Sequence, residues 1–142
     1  MLKTIAQQYT VLRKNTEVAE VQWQFSNDAP IYAQLIRGVQ IRIVAGIFPP
    51  GERLPSVRDL AAEAGVNPNT MQRALSELER EGLLYSARTS GRYVTDDENL
   101  VHSLKRRLAE GRIEAFLREM RELGFGNEEL LDILRQELEK EE

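Results

Sequence analysis

The sequence predicts a mainly α-helical chain that carries one small β-hairpin, and three observations predict it. Apolar residues recur at helical spacing in five stretches, each bounded by Pro, Gly or a capping residue. The stretch from Leu83 to Thr95 breaks that period into two short runs of strand-forming residues around a small polar turn. The chain of 142 residues is 42% hydrophobic and 30% charged, a balance that folds rather than one that stays disordered.

Each element has its own warrant. Asn27-Asp28-Ala29-Pro30 supplies cap candidates and a first-turn proline. After it, Ile31, Leu35, Val39 and Ile43, with Ile36 and Arg42 interleaved, make the stripe of a first helix that ends by Gly46. Phe48-Pro49-Pro50-Gly51 cannot continue a helix, so the chain turns and runs extended through Arg53-Leu54-Pro55. Ser56 caps a second helix, with Asp59 at capping-box distance and Val57, Leu60, Ala61 and Ala64 as its buried face; Gly65 ends it. Asn67-Pro68 opens a third helix whose stripe is Met71, Ala74, Leu75 and Leu78, closed by Glu81-Gly82. Leu83–Ser86 and Arg92–Thr95 read as the two strands of the hairpin. A long helix follows from Glu98, eased near Gly111, and Gly124-Phe125-Gly126 breaks it. Asn127 caps a last helix with an acidic tail.

Two short helices joined at Gly65, with a helix before and a hairpin after, form a winged helix-turn-helix. Small Ala61, four residues before Gly65, lets the helices cross closely, and Met71, six after it, reaches the core. Asn67, Asn69, Thr70, Gln72 and Arg73 fill the outward positions of the first two turns of the third helix. These types read base edges: Asn and Gln pair with adenine, Arg with guanine, and Thr touches the thymine methyl, while the helix amino end offers N–H groups to phosphate.

The run Pro50-Gly51-Glu52-Arg53-Leu54-Pro55-Ser56-Val57-Arg58-Asp59-Leu60-Ala61 resembles the signature of the GntR family of bacterial transcription regulators. Gly65 to Ala74, followed by Glu79-Arg80-Glu81-Gly82-Leu83, is similar to the YtrA-like subfamily, and the resemblance covers about residues 25–95. Such proteins are dimeric DNA-binding regulators, mostly repressors, often of operons that encode membrane transporters. The resemblance implies that Arg53, Arg58 and the Ser56 helix end grip phosphates or groove edges, that the third helix enters the major groove, and that the hairpin tip reaches the minor groove. At that tip Thr89 and Ser90 stand where the family has a glycine and a basic residue, leaving Gly91 between Arg88 and Arg92. Two arginines astride a small-residue tip suit a narrow minor groove. Arg37, Arg42 and Arg80 read as surface. The DNA-contact candidates are therefore Arg53, Ser56, Arg58, Asn67, Asn69, Thr70, Gln72, Arg73, Arg88, Ser90, Gly91 and Arg92. The alternative is a winged-helix protein-interaction module without DNA readout.

Charge sharpens the division of the chain. The net charge of -4 looks wrong for a nucleic-acid partner, yet residues 1–29 are neutral, residues 30–95 carry eight arginines against six acids, and residues 96–142 carry eight basic against fourteen acidic groups. The expected organisation is an N-terminal extension over residues 1–20, a winged helix-turn-helix over 21–95 and a two-helix dimerisation module over 96–142. In the last, Phe116, Leu117, Met120 and Leu123 with Leu130, Leu131 and Leu134 make a face too wide for so small a piece to bury alone, which points to a homodimer. A small effector, its identity open, would have little pocket beyond the intersubunit groove. Residues 1–20 precede the resemblance, and two readings stay open: an extra helix on Ile5, Tyr9 and Leu12, or a natural start near Val21.

Other chemistries find little support. Zero cysteines remove disulfides, thiol catalysis and thiolate metal sites. His102, beside Asp96, Asp97 and Glu98, reads as a solvated helix residue rather than a ligand. No carboxylate pair has a base or nucleophile to work with, and Gly124-Phe125-Gly126 is followed by acids that would repel a phosphate. No enzyme activity, metal or cofactor is expected. No apolar run approaches the roughly 18–20 residues that span a bilayer, so no membrane partner is expected and the chain reads as cytoplasmic.

Overall fold

The computed structural model describes residues 22–88 and 90–141. The chain divides into two compact units, one running to Lys105 and the other spanning Arg106–Glu142. Five helices lie among the described residues: α1 (Ile31–Val44), α2 (Val57–Ala64), α3 (Pro68–Arg80), α4 (Glu98–Glu122) and α5 (Asn127–Lys140). Strands β1 (Leu84–Ala87) and β2 (Gly91–Val94) pair antiparallel between α3 and α4. The expected mainly helical architecture with one hairpin is what the chain adopts, each strand shifted by a residue. Ile5, Tyr9, Leu12, Val21 and Thr89 lie outside the described residues.

The core of the first unit is built from the expected stripes. Leu35, Val39 and Ile43 of α1, Leu60 and Ala61 of α2, and Met71, Ala74, Leu75 and Leu78 of α3 are all buried. Each large side chain so removed from water contributes about 1.5–3 kcal/mol. Leu54, Leu83, Leu84 and Val94 close the core from the hairpin side, and Val101 and Leu104 from the start of α4 are buried too, which carries the unit past the hairpin to Lys105.

The helix ends explain the tight geometry of α2 and α3. Ser56 Oγ accepts the amide of Asp59 at 3.1 Å, and Gly65 closes α2 in the left-handed region at φ 72°, where a side chain would be strained. Two residues on, Asn67 Oδ1 accepts the amide of Asn69 at 2.8 Å, and Pro68 occupies the first helical turn. A left-handed glycine between two side-chain caps is what sets α3 at an angle to α2.

Four local expectations change. No side chain caps α1: Pro30 is its N-cap residue, and the preceding segment is held from inside the helix. Gln34 Nε2 donates to the carbonyls of Ser26 and Ala29, and its Oε1 accepts the Ser26 amide. Arg42, read as surface, is only 3% exposed. Its guanidinium lies over the Trp23 ring and donates to the Gly38 carbonyl at 2.9 Å. Burial pushes that guanidinium down from its ordinary value, and the nearby Glu63 carboxylate opposes the shift. α4 runs through Gly111 without interruption, and Gly126 rather than Asn127 is the N-cap residue of α5. The cap of α4 had not been expected: Asp97 Oδ1 accepts the Leu100 amide at 3.1 Å, and Thr95 Oγ1 accepts that of Asp97.

The hairpin is also wider than two strands. Arg53 bridges Tyr93, the Leu54 amide donates to the Arg92 carbonyl at 2.8 Å and the Val94 amide to that of Glu52 at 2.9 Å. The extended stretch before α2 is thus a third, short edge of the wing, so one chain segment positions both the wing and the start of α2.

In the second unit, the end of α4 turns into α5 through Leu123–Gly126, with Gly124 at φ 89°. Leu130 is buried, and Phe116, Leu117, Met120 and Leu134 are half-buried. Leu123 and Leu131 are 72% and 61% exposed in the single chain.

Candidate nucleic-acid interface

The outward face of α3 is polar because its apolar positions are all spent on the core. With Met71, Ala74, Leu75 and Leu78 turned inward, Asn69, Gln72, Arg73 and Ser76 are exposed, and Thr70 is half-buried. Exposed Arg58 stands on α2 within two residues of the Ser56 cap. The cap bonds limit two candidates: Ser56 Oγ and Asn67 Oδ1 each already accept a backbone amide.

α3 is flanked on both sides. The Arg73 guanidinium lies 5.0 Å from the centre of the Tyr32 ring of α1. On the other side stands the wing. Leu84 pairs with Val94, Tyr85 with Tyr93 and Ser86 with Arg92. Alternation puts Ser86 and Arg92 on the face that carries buried Leu84 and Val94, while Tyr85 and Tyr93 stack on the opposite face with centroids 5.5 Å apart. The Tyr93 hydroxyl donates to Ser90 Oγ at 2.8 Å, tying down the loop. Arg88 and Gly91 are exposed there, and Gly91 has φ 99° with the Arg53 side chain alongside, where a Cβ would stand 3.2 Å from Arg53 Nε.

Arg92 does not share the openness of Arg88. Its side chain is 14% exposed, and Nε lies 3.5 Å from Glu79 Oε1. Nη1 donates to Gln72 Oε1 at 3.2 Å and Nη2 to Ser76 Oγ at 3.5 Å. Ser86 Oγ donates to the same Glu79 carboxylate. Gln72, Ser76 and Glu79 are therefore the α3 residues that hold Arg92 of the wing, and the last two are not among the site residues expected from the sequence. The signal for this was present in the alternation of Arg92 with Val94.

The charges divide into spent and available. Ion pairs among the described residues join Arg80 to Glu77, Arg92 to Glu79, Arg106 to Glu110 and Lys140 to Glu137. Arg53, Arg58, Arg73 and Arg88 are exposed and have no carboxylate within pairing distance among those residues. A protein surface that leaves guanidiniums unneutralised around a polar helix face has the chemistry for phosphate and base edges. His102 is exposed on α4, and among the described residues no three His, Asp or Glu side chains converge to hold a metal ion. No described helix is long and apolar enough to cross a membrane.

Comparison with known proteins identifies the family and the fold. The family described as "Bacterial regulatory proteins, gntR family" matches residues 31–94, from the start of α1 to the end of β2. The chain is 39% identical over 109 residues to the uncharacterized HTH-type transcriptional regulator YhcF of Bacillus subtilis (strain 168), covering 77% of this chain and 90% of that protein. It is 36% identical over 97 residues to the HTH-type transcriptional repressor YtrA of the same organism, covering 68% and 70%. Among solved structures, a GntR family transcriptional regulator from Listeria monocytogenes superposes with a TM-score of 0.70 at 36% identity, covering 79% of this chain and 98% of that one. Its helix-turn-helix, its wing and its relatives together make this chain a member of the GntR family of bacterial DNA-binding transcriptional regulators.

Proposed function

We propose that this chain works as a homodimer that binds two-fold symmetric double-stranded operator DNA and represses the genes beside it. The observation that carries the proposal is the exposed polar face of α3 (Asn69, Gln72, Arg73) framed by the unpaired Arg53, Arg58 and Arg88. α3 enters the major groove, where Asn69 and Gln72 meet base edges, while Arg58 and the amide-rich start of α2 meet phosphate. Arg88 at the wing tip reaches the minor groove.

Dimerisation rests on the second unit, where Leu123 and Leu131 leave an apolar face that one chain does not cover. Repression is supported by likeness to YtrA, itself described as a repressor, and the YtrA-like resemblance makes a transporter operon the target to look for first. Two identical heads would occupy major grooves about 34 Å apart, one helical turn of DNA.

Selection of fragments of the source genome by the full-length protein, followed by footprinting, tests this. Recovered fragments should share an inverted repeat, protected in two halves and bound steeply less as salt rises. Protection of a single asymmetric site at every protein concentration would overturn the symmetric dimer. Binding of a protein partner by the α3 face, with no selection among DNA fragments, would overturn DNA readout.

A further inference from the structure

Arg92 of the wing and Gln72 of α3 are 20 residues apart and joined by a hydrogen bond. A guanidinium carries five N–H donors and no acceptor, so an amide that hydrogen-bonds to it must present its oxygen. The Gln72 amide therefore has its orientation set by its neighbour: Oε1 toward the wing, and the Nε2 amino group away from it. The guanidinium is itself held, by Ser76 Oγ at 3.5 Å and by Glu79, which also takes the Ser86 hydroxyl. With its side chain 14% exposed on β2 opposite Ser86, Arg92 faces Gln72, Ser76 and Glu79 rather than solvent.

We propose that Arg92 is a positioning residue that selects which base Gln72 reads, by fixing the amide so that α3 presents its N–H donors to the groove. The inference rests on the reading of α3 as the base-contacting helix. An unconstrained glutamine pairs with adenine by accepting from N6 and donating to N7. In this chain one lone pair of the oxygen is engaged by a cation and the oxygen is turned toward the wing, so the amino group is the part of the amide best placed to meet a base. Guanine can take both N–H groups, since O6 and N7 are both acceptors on the major-groove edge, whereas adenine offers only N7 and its N6–H would have to share an oxygen already held by the guanidinium. Arg92 thus biases a residue type that favours adenine toward guanine, without touching DNA.

The test uses full-length protein and a randomised operator library. Gln72→Ala should relax preference at one base pair of each half-site, which identifies the position; wild-type protein should favour guanine over adenine there by about tenfold, the size of one well-formed base contact. Arg92→Met keeps the side-chain stem and removes the guanidinium. It should move the preference at that one position toward adenine, and it should leave the salt dependence of binding to random DNA unchanged. Arg88→Ala serves as the contrast, lowering that salt slope by about one. Adding Arg92→Met to Gln72→Ala should change no base preference.

A salt slope that falls with Arg92→Met makes Arg92 a phosphate contact and overturns the inference, as does a guanine preference that survives the substitution. Wild-type preference for adenine at the Gln72 position overturns it without any Arg92 variant, so a poorly folded Arg92→Met does not protect it. Wild-type protein that selects no sequence at all overturns the reading of α3 itself, a different result from any of these.

Discussion

The Arg42 guanidinium lies 3.6 Å from the centre of the Trp23 ring, and the same ring occupies the space where a side chain at position 38 would stand. Gly38 is therefore in the middle of α1 for lack of room, against its low helix propensity, which costs about 1 kcal/mol relative to alanine. The segment before α1 is bound to the unit by this stack and by the three hydrogen bonds of Gln34.

Gly38→Ala should destabilise the protein despite the better helix former. Overpacking against the ring costs about 1–3 kcal/mol and the propensity gain returns about 1 kcal/mol. The net loss, up to about 2 kcal/mol, would lower the melting temperature by roughly 4–8 °C per kcal/mol in a unit of this size. In a Trp23→Ala background the same substitution should be neutral or stabilising. Thermal unfolding of the four proteins measures the coupling, and an equal effect in both backgrounds would place the strain elsewhere.

Ser56 holds two proposed duties that a single substitution can separate. Ser56→Ala removes the bond to the Asp59 amide and should cost about 1 kcal/mol of stability. Ser56→Asp keeps the cap and favours the helix dipole, so stability should stay near that of the wild type. The added charge, however, should weaken binding to every DNA sequence. If Ser56→Asp binds DNA as well as wild type, this end of α2 does not face phosphate.

Arg58→Ala and Asn69→Ala should fail differently. Loss of Arg58 should weaken binding to operator and random DNA alike and lower the salt slope by about one. Loss of Asn69, whose amide N–H serves the Asn67 cap while its side chain stays exposed, should remove about 1–3 kcal/mol of discrimination at one base pair per half-site. Binding to random DNA should hold. Equal losses on both DNAs for both variants would remove the base-reading role from α3.

Leu123→Glu and Leu131→Glu should produce well-folded monomers. Both side chains are mostly exposed in the single chain, so its own stability should shift by no more than about 0.5 kcal/mol. Sedimentation equilibrium should report half the wild-type mass at the same concentration, and operator affinity should fall with it. Unchanged mass in both variants would move the interface off this face.

The features legible in the sequence are the local ones. The Ser56 cap, the Gly65 stop, the Asn67-Pro68 start and the Met71-to-Leu78 stripe are all interactions among residues at most a few positions apart. Asn69, Gln72 and Arg73 follow from the same helical period, because the positions that do not face the core must face out. The caps expected at Asn27-Asp28 and Asn127 do not form, because the N-cap positions fall on Pro30 and Gly126 and neither helix start carries a side-chain cap bond.

The sequence by itself determined the order of helices and hairpin and the polar face of α3, because hydrogen bonding and burial within one turn or one strand depend on neighbours along the chain. The tertiary structure decided what the arginines do. Arg42 is buried because Trp23, 19 positions earlier, folds back over α1, and Arg92 is held because β-sheet register turns it toward Gln72, Ser76 and Glu79. Arg58 and Arg88 stay open because no carboxylate is brought to them among the described residues. An arginine is long enough to pack, to pair or to wait for phosphate, and only the crossing of helix, strand and wing selects among the three.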